Sequence, residues 1–184
     1  MKEYQFAYGD GTVTFPLDGC DILGELYGSK VAPVKDIRAA LWDSLDEPIG
    51  SEALCKRVKA GNTVALIVSD MSRFWMRQDL VVPHLVDYLT QRCGVQEADI
   101  SIVIANGTHE GGDEQELRTL VTDAVYDRVR VENHDCEATD LVYLGTTPHG
   151  TPVSINRTAA QADIVICLGA VTHHVMAGFG GGRK

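Results

Sequence analysis

Three short apolar runs constrain this chain more than anything else in it: residues 63–68 (TVALIV), 100–105 (ISIVIA) and 164–168 (IVICL). Each is rich in β-branched residues and largely lacks a polar face. That combination predicts strands covered on both sides, the environment of a parallel sheet. Helical pattern lies between them. One helix starts near Pro83, which suits a first turn because its missing N–H has no helical partner to lose, and Leu85, Val86 and Leu89 form its buried stripe. Residues 114–121 form another. Further strands are expected at 128–132 and 141–144, the latter turning at Pro148-His149-Gly150 into 151–155 as a hairpin.

Upstream, residues 5–8 and 12–15 pair around Gly9-Asp10-Gly11, and Pro16 ends the second strand because it has no N–H for a ladder. Ala32-Pro33 is expected to open a helix along which Ile37, Leu41 and Leu45 recur every four residues. Ser51 is expected to cap a second, short helix carrying Leu54 and Val58, with Gly61 past its end. The alternation of strand and helix predicts an α/β chain: a Rossmann-like parallel-sheet layer domain with an N-terminal hairpin.

Composition narrows the function. The 184 residues suffice for one domain with a substantial core and barely for two. Apolar residues make up 45% and charged residues 23%, an ordinary globular balance. A net charge of −10 argues against a nucleic-acid partner, since phosphate binding needs a basic surface. No apolar run reaches the ~18 residues of a membrane span, and the N-terminus lacks a signal-length apolar segment. The five cysteines, Cys20, Cys55, Cys93, Cys136 and Cys167, are odd in number and scattered without a CxxC pair. They read as reduced thiols of a cytoplasmic protein and not as a disulfide or zinc framework.

Each apolar run empties into a polar loop. The first leads to Ser69-Asp70-Met71-Ser72-Arg73, the second to Asn106-Gly107-Thr108-His109-Glu110, and the third to a stretch holding His173, His174 and then Gly178-Phe179-Gly180-Gly181-Gly182-Arg183-Lys184. In a parallel sheet these loops leave by one edge, where open α/β proteins build their sites. Asp70, Arg73, His109, His174 and Lys184 are therefore expected to converge. Plainer readings stand beside this one. Asp70 and Arg73 also fit a helix cap and a surface ion pair, and His109 fits a turn histidine bonded to backbone. Of the neighbours His173 and His174, one is expected to be structural; His84, His134 and His149 read as surface or turn residues. The glycine tail matches neither standard phosphate motif: Arg183 stands where a Walker loop needs glycine, and again where a dinucleotide fingerprint needs its third one. It fits either a close cofactor approach or a flexible linker.

Taken together, SDMSR at 69–73, GTHE at 107–110 and HVMAGFGGGRK at 174–184, each behind a predicted strand, resemble the lactate racemase family over about residues 60–184. The resemblance implies a 2-hydroxy-acid racemase or epimerase using a nickel-pincer nucleotide (nickel pyridinium-3,5-bisthiocarboxylate mononucleotide), held covalently here at Lys184. It implies that His109 and His174 are general bases on opposite faces of the substrate. One takes the hydroxyl proton while hydride passes to the cofactor, and the planar keto acid then receives hydride on its other face. It further implies that Asp70, Met71, Ser72, Arg73, Gly181 and Gly182 line the cofactor, with Arg73 also gripping the substrate carboxylate. The partners it implies are a small chiral 2-hydroxy acid and the proteins that make the cofactor and insert nickel.

Physical chemistry agrees with these roles, because imidazole titrates near neutrality and a guanidinium forks onto a carboxylate. The family's nickel-binding histidine lies beyond the motif lysine, so no metal ligand is expected within 1–184. Residues 1–184 are thus expected to be the N-terminal catalytic domain, incomplete at the C-terminus, of a two-domain enzyme. As an isolated piece they are expected to be inactive. Phe74-Trp75 replace a proline frequent after the motif arginine, and His173 replaces one before the motif histidine. Both changes lie near the expected substrate, which leaves the identity of the hydroxy acid open, lactate included. Two further readings remain: a non-catalytic nucleotide- or anion-binding α/β domain, and an NAD-dependent dehydrogenase, which the missing fingerprint disfavours.

Overall fold

A computed structural model describes residues 3–17 and 19–181; Gly182 and Lys184, two of the expected cofactor residues, lie outside them. The chain divides into two units, Met1–Pro33 and Val34–Lys184. The first holds an antiparallel hairpin of β1 (Glu3–Tyr8) and β2 (Gly11–Pro16), paired from Glu3↔Pro16 to Tyr8↔Gly11. Phe6 and Phe15 meet edge to face on it.

The second unit begins with α1 (Ile37–Asp46) and α2 (Leu54–Arg57). Neither starts where the sequence suggests. Asp36 caps α1, its carboxylate accepting from the Ala39 N–H at 2.9 Å, so the helix opens four residues after Pro33. Ala53 occupies the cap position of α2 without a side-chain bond, while the Ser51 hydroxyl turns to the Glu52 carbonyl. Ser51 is therefore no cap.

Then come β3 (Val64–Ser69), α3 (Val82–Gln91), β4 (Ile100–Ala105), α4 (Glu114–Val121), α5 (Asp123–Tyr126) and β5 (Arg130–Asn133). A hairpin of β6 (Val142–Thr146) and β7 (Pro152–Ile155), the short α6 (Arg157–Gln161), β8 (Ile164–Cys167), and a last hairpin of β9 (Val171–His174) and β10 (Gly178–Gly181) follow. The main sheet is parallel throughout, in the order β5-β4-β3-β8. From β3 the chain steps outward twice and then returns to the other side of β3. In doubly wound sheets of this order the crevice for ligands opens at that reversal, outside the carboxyl ends of the strands. Here that is the mouth between β3 and β8.

The core is the underside of this arrangement. Val64, Leu66 and Val68 of β3 and Ile100, Ile102 and Ile104 of β4 pack against Val82, Leu85, Val86, Tyr88 and Leu89 of α3 and Leu117, Leu120 and Val121 of α4. Each such side chain contributes roughly 1.5–3 kcal/mol by leaving water. The third apolar run departs from expectation. β8 is an edge strand whose residues alternate, Ile164 and Ile166 half-buried, Val165 and Cys167 exposed. Nothing among the described residues covers its second face. Of the two readings of the glycine tail, the flexible linker does not hold over Gly178–Gly181, which forms a strand against β9.

Candidate functional site

The loops after β3 and β4 meet through one hydrogen bond. His109 donates its Nδ1–H to Asp70 Oδ2 at 2.5 Å, across 39 residues of sequence. The Asp70 side chain is 14% exposed and that of His109 60%, so the carboxylate forms the floor and the imidazole the open surface. Ser72 donates its hydroxyl to the other oxygen, Oδ1, at 2.6 Å. Burial pushes the Asp70 carboxyl upward, but the hydrogen bonds from His109 and Ser72, with the Arg73 charge nearby, outweigh it and hold Asp70 below the usual carboxylate range. A carboxylate on Nδ1 fixes the tautomer: the ring's lone pair stays on Nε2, pointed away from Asp70. This is the geometry of an oriented general base.

The remaining expected residues distribute unevenly. Arg73 is exposed and close enough to add its charge to the Asp70 environment. Met71 and Phe74 pack partly against the core, while Trp75 is 56% exposed. His174, at the end of β9, is exposed, and among the described residues no hydrogen bond joins it to His109 or Asp70. Its Nδ1 accepts instead from the backbone N–H of Met176 and Ala177, at 3.2 and 3.1 Å. The proton of the neutral ring therefore sits on Nε2, the opposite tautomer to His109. His173 points the other way, its ring 5.0 Å from that of Phe179, its cross-strand partner. Gly181 pairs with Val171 at φ +90°, and a Cβ there would overlap the Ala170 carbonyl. At Gly180 a Cβ would stand 3.6 Å from the His174 ring. Bare main chain thus runs alongside His174 at Gly180 and Gly181.

A cavity of about 140 Å³ lies beside the pair, lined among others by Asp70, Asn106, Glu110, Glu116 and Asn133. Three carboxylates make it a poor seat for an anion. Among the described residues no group of three or more His, Cys, Asp or Glu gathers as a metal site.

Two side chains with no local signal in the sequence hold these loops. Gln78, 2% exposed, bonds Ser69, and Asn133 bonds Gly112. Both are amides in unremarkable sequence, and their partners are backbone atoms 9 and 21 residues away. No spacing rule reveals such contacts.

Residues 8–184 match the family model described as the lactate racemase N-terminal domain. The lactate racemase of Lactiplantibacillus plantarum is 29% identical over 191 residues, spanning all of this chain and 43% of that protein. That of Thermoanaerobacterium thermosaccharolyticum is 29% identical over 189 residues with the same coverage. The solved structure of the lactate racemase apoprotein from Thermoanaerobacterium thermosaccharolyticum is similar with a TM-score of 0.81 at 25% identity, over 97% of this chain and 41% of that one. The chain spans less than half the length of the curated relatives it matches.

Proposed function

The chain belongs to the lactate racemase N-terminal domain family, and from that premise we propose that the whole protein racemises or epimerises a 2-hydroxy acid. The observation that carries this reading is the Asp70–His109 pair, an aspartate-oriented imidazole with Nε2 free at the carboxyl edge of a parallel sheet. A domain that only binds nucleotides or anions needs no such group.

Racemisation needs a proton acceptor on each face of the stereocentre. His109 takes the hydroxyl proton of one enantiomer at Nε2, and Asp70 stabilises the resulting imidazolium. His174 serves the other face. To accept a proton at Nε2 its ring proton must move to Nδ1, which requires release of the hydrogen bonds from Met176 and Ala177. Arg73 binds the substrate carboxylate and orients the hydroxyl toward His109. Trp75, exposed two residues on, bounds the substrate and favours a hydroxy acid other than lactate.

The glycine strand fits a flat cofactor. Gly180 and Gly181 leave main chain bare beside His174: a Cβ at Gly181 would overlap the Ala170 carbonyl, and one at Gly180 would rest against the His174 ring. A nickel-pincer nucleotide held covalently at Lys184, with Asp70, Met71, Ser72, Gly181 and Gly182 around it, would supply the hydride acceptor and donor that these residues lack. Its synthesis and nickel loading would need dedicated partner proteins.

The test is single replacement of His109 and His174 by Ala in the full-length protein, assayed for racemisation of chiral 2-hydroxy acids. Metal analysis and absorption spectra report whether cofactor is retained. Both variants are expected to lose racemisation and keep cofactor. Retained activity in either would overturn the assignment of that histidine as a base.

A further inference from the structure

The bond between Asp70 and His109 joins two loops that share no other side-chain hydrogen bond among the described residues, yet their ends are held in the same way. Gln78, in a 3₁₀ turn (Gln78–Leu80), accepts from the Ser69 N–H through Oε1 at 3.2 Å and donates through Nε2 to the Ser69 carbonyl at 2.7 Å. The position explains the grip. The Ile67 carbonyl faces β8 and accepts from the Leu168 N–H, and β8 pairs no further than Ile67↔Cys167. Ser69, two residues on, faces the same side with no strand beside it. The amide of Gln78 stands in for the missing strand, one residue before Asp70.

Asn133 does the same for the other loop. Its Oδ1 accepts from the Gly112 N–H at 3.2 Å and its Nδ2 donates to the Gly112 carbonyl at 2.8 Å. Asn106, 3% exposed, ties the loop's beginning to the same place, donating to Asn133 Oδ1 at 3.0 Å and to the His134 carbonyl at 3.1 Å. His109 sits midway between these anchors, its own N–H closing a turn onto the Asn106 carbonyl at 3.0 Å. Gly111 passes so close that a Cβ there would lie 2.9 Å from Asn133 Cγ.

We propose that Gln78 and Asn133 are positioning residues for the Asp70–His109 pair, each gripping both backbone polar groups of one loop residue so that carboxylate and imidazole meet. The inference rests on His109 acting as a base. Neither amide hydrogen-bonds to the side chain of His109 or Asp70, and both act through the main chain. Ser69 and Gly112 are half-buried loop-end residues whose polar groups are taken up by these amides. A 2.5 Å bond between side chains on separate loops tolerates little displacement, and misplacement by ~1 Å can cost about 100-fold in rate.

The experiment uses the full-length protein with ¹⁵N-labelled histidine, carrying Gln78→Met, Asn133→Leu or Gly111→Ala. Gly111→Ala removes no polar group and wedges Gly112 away from Asn133. His109→Gln assigns the His109 signals, and Asp70→Asn shows how they look without the carboxylate. Each variant is expected to move the His109 Nδ1 signals toward those of Asp70→Asn, and to lower kcat about tenfold or more with KM changed less than twofold. Folded variants with unchanged His109 signals and kcat would overturn the proposal. If Asn133→Leu fails to fold, Gly111→Ala and the conservative Gln78→Glu decide it. The His109→Ala assay separates the two ideas: activity retained there removes the base, whereas the ¹⁵N signals test the positioning regardless.

Discussion

Asp70 is under two opposing pressures. Its partial burial favours the neutral acid, while His109 and Ser72 donate hydrogen bonds only a carboxylate can accept fully. The bonds win, and the lowered carboxyl has a thermodynamic consequence. A carboxyl titrating lower in the folded than in the unfolded chain stabilises the fold above the unfolded value, about 3.9, and loses that stabilisation as pH falls through its folded value. The stability difference between the native chain and Asp70→Asn, measured by urea unfolding, is therefore expected to be larger at pH 6 than at pH 3. A difference constant across that range would mean the carboxylate gains nothing from its partners. The same substitution tests catalysis. An amide in place of the carboxylate can donate to Nδ1 and drive the ring proton to Nε2, leaving no base; kcat is expected to fall about 100-fold or more, as when an orienting aspartate is lost from other triads. From the sequence Asp70 was expected to line a cofactor. Its bond to His109 was not legible, because no local pattern spans 39 residues between two loops; the structure is needed to show them facing each other.

At the level of elements the strands were the most legible part, because burial writes a continuous apolar run and β3 and β4 obey it. The start of α1 was less so. Pro33 is a plausible first-turn residue, but Asp36 offers a side-chain cap nearer the apolar stripe, and the cap decides. Once formed, α1 packs on α3 through a junction the sequence does not advertise. Trp42 donates to the His84 carbonyl at 3.0 Å and meets the Tyr88 ring edge to face at 5.5 Å. Tyr88 donates its hydroxyl to Asp46 at 2.5 Å, and Arg92 donates to the same carboxylate at 2.8 Å. Burial pushes the Tyr88 phenol up, and Asp46 and Cys55 push it further, so it remains a donor at any physiological pH. Removing that hydroxyl strips a charged acceptor of one partner. Tyr88→Phe is expected to cost about 1.5–3 kcal/mol, seen as a lower urea midpoint with unchanged slope. Unchanged stability would show that Arg92 and water satisfy Asp46 alone. The same neighbourhood holds Cys93, whose thiol burial pushes up to about 11. Native alkylation should spare it while the exposed Cys20, Cys136 and Cys167 react; rapid modification of Cys93 would indicate that α3 opens readily.

Across the whole molecule the two histidines belong to different kinds of structure. His109 stands on a loop pinned at both ends to the sheet, whereas His174 stands on a hairpin that branches from the exposed edge strand. Sequence order brought both to the carboxyl edge of one sheet, and the strand order places the β3 and β8 loops on either side of the reversal point. It did not reveal that one ring is proton-accepting at Nε2 and the other, as held by Met176 and Ala177, is not. That asymmetry makes the proposed racemase testable beyond simple loss of function. If the bases flank the stereocentre, each serves the hydroxyl of one enantiomer only. In single-turnover experiments with cofactor-loaded full-length protein, His109→Ala is expected to form 2-keto acid from one enantiomer alone, and His174→Ala from the other. The keto acid can be trapped by a hydrazine reagent and each enantiomer scored separately. Two variants that oxidise both enantiomers alike, or neither enantiomer differentially, would show that the histidines do not divide the faces between them. The pinned loop also predicts which half-reaction is faster. Proton removal by His109 needs no rearrangement, while His174 must first shed two backbone hydrogen bonds, so the enantiomer still oxidised by His174→Ala is expected to react sooner than the one left to His109→Ala.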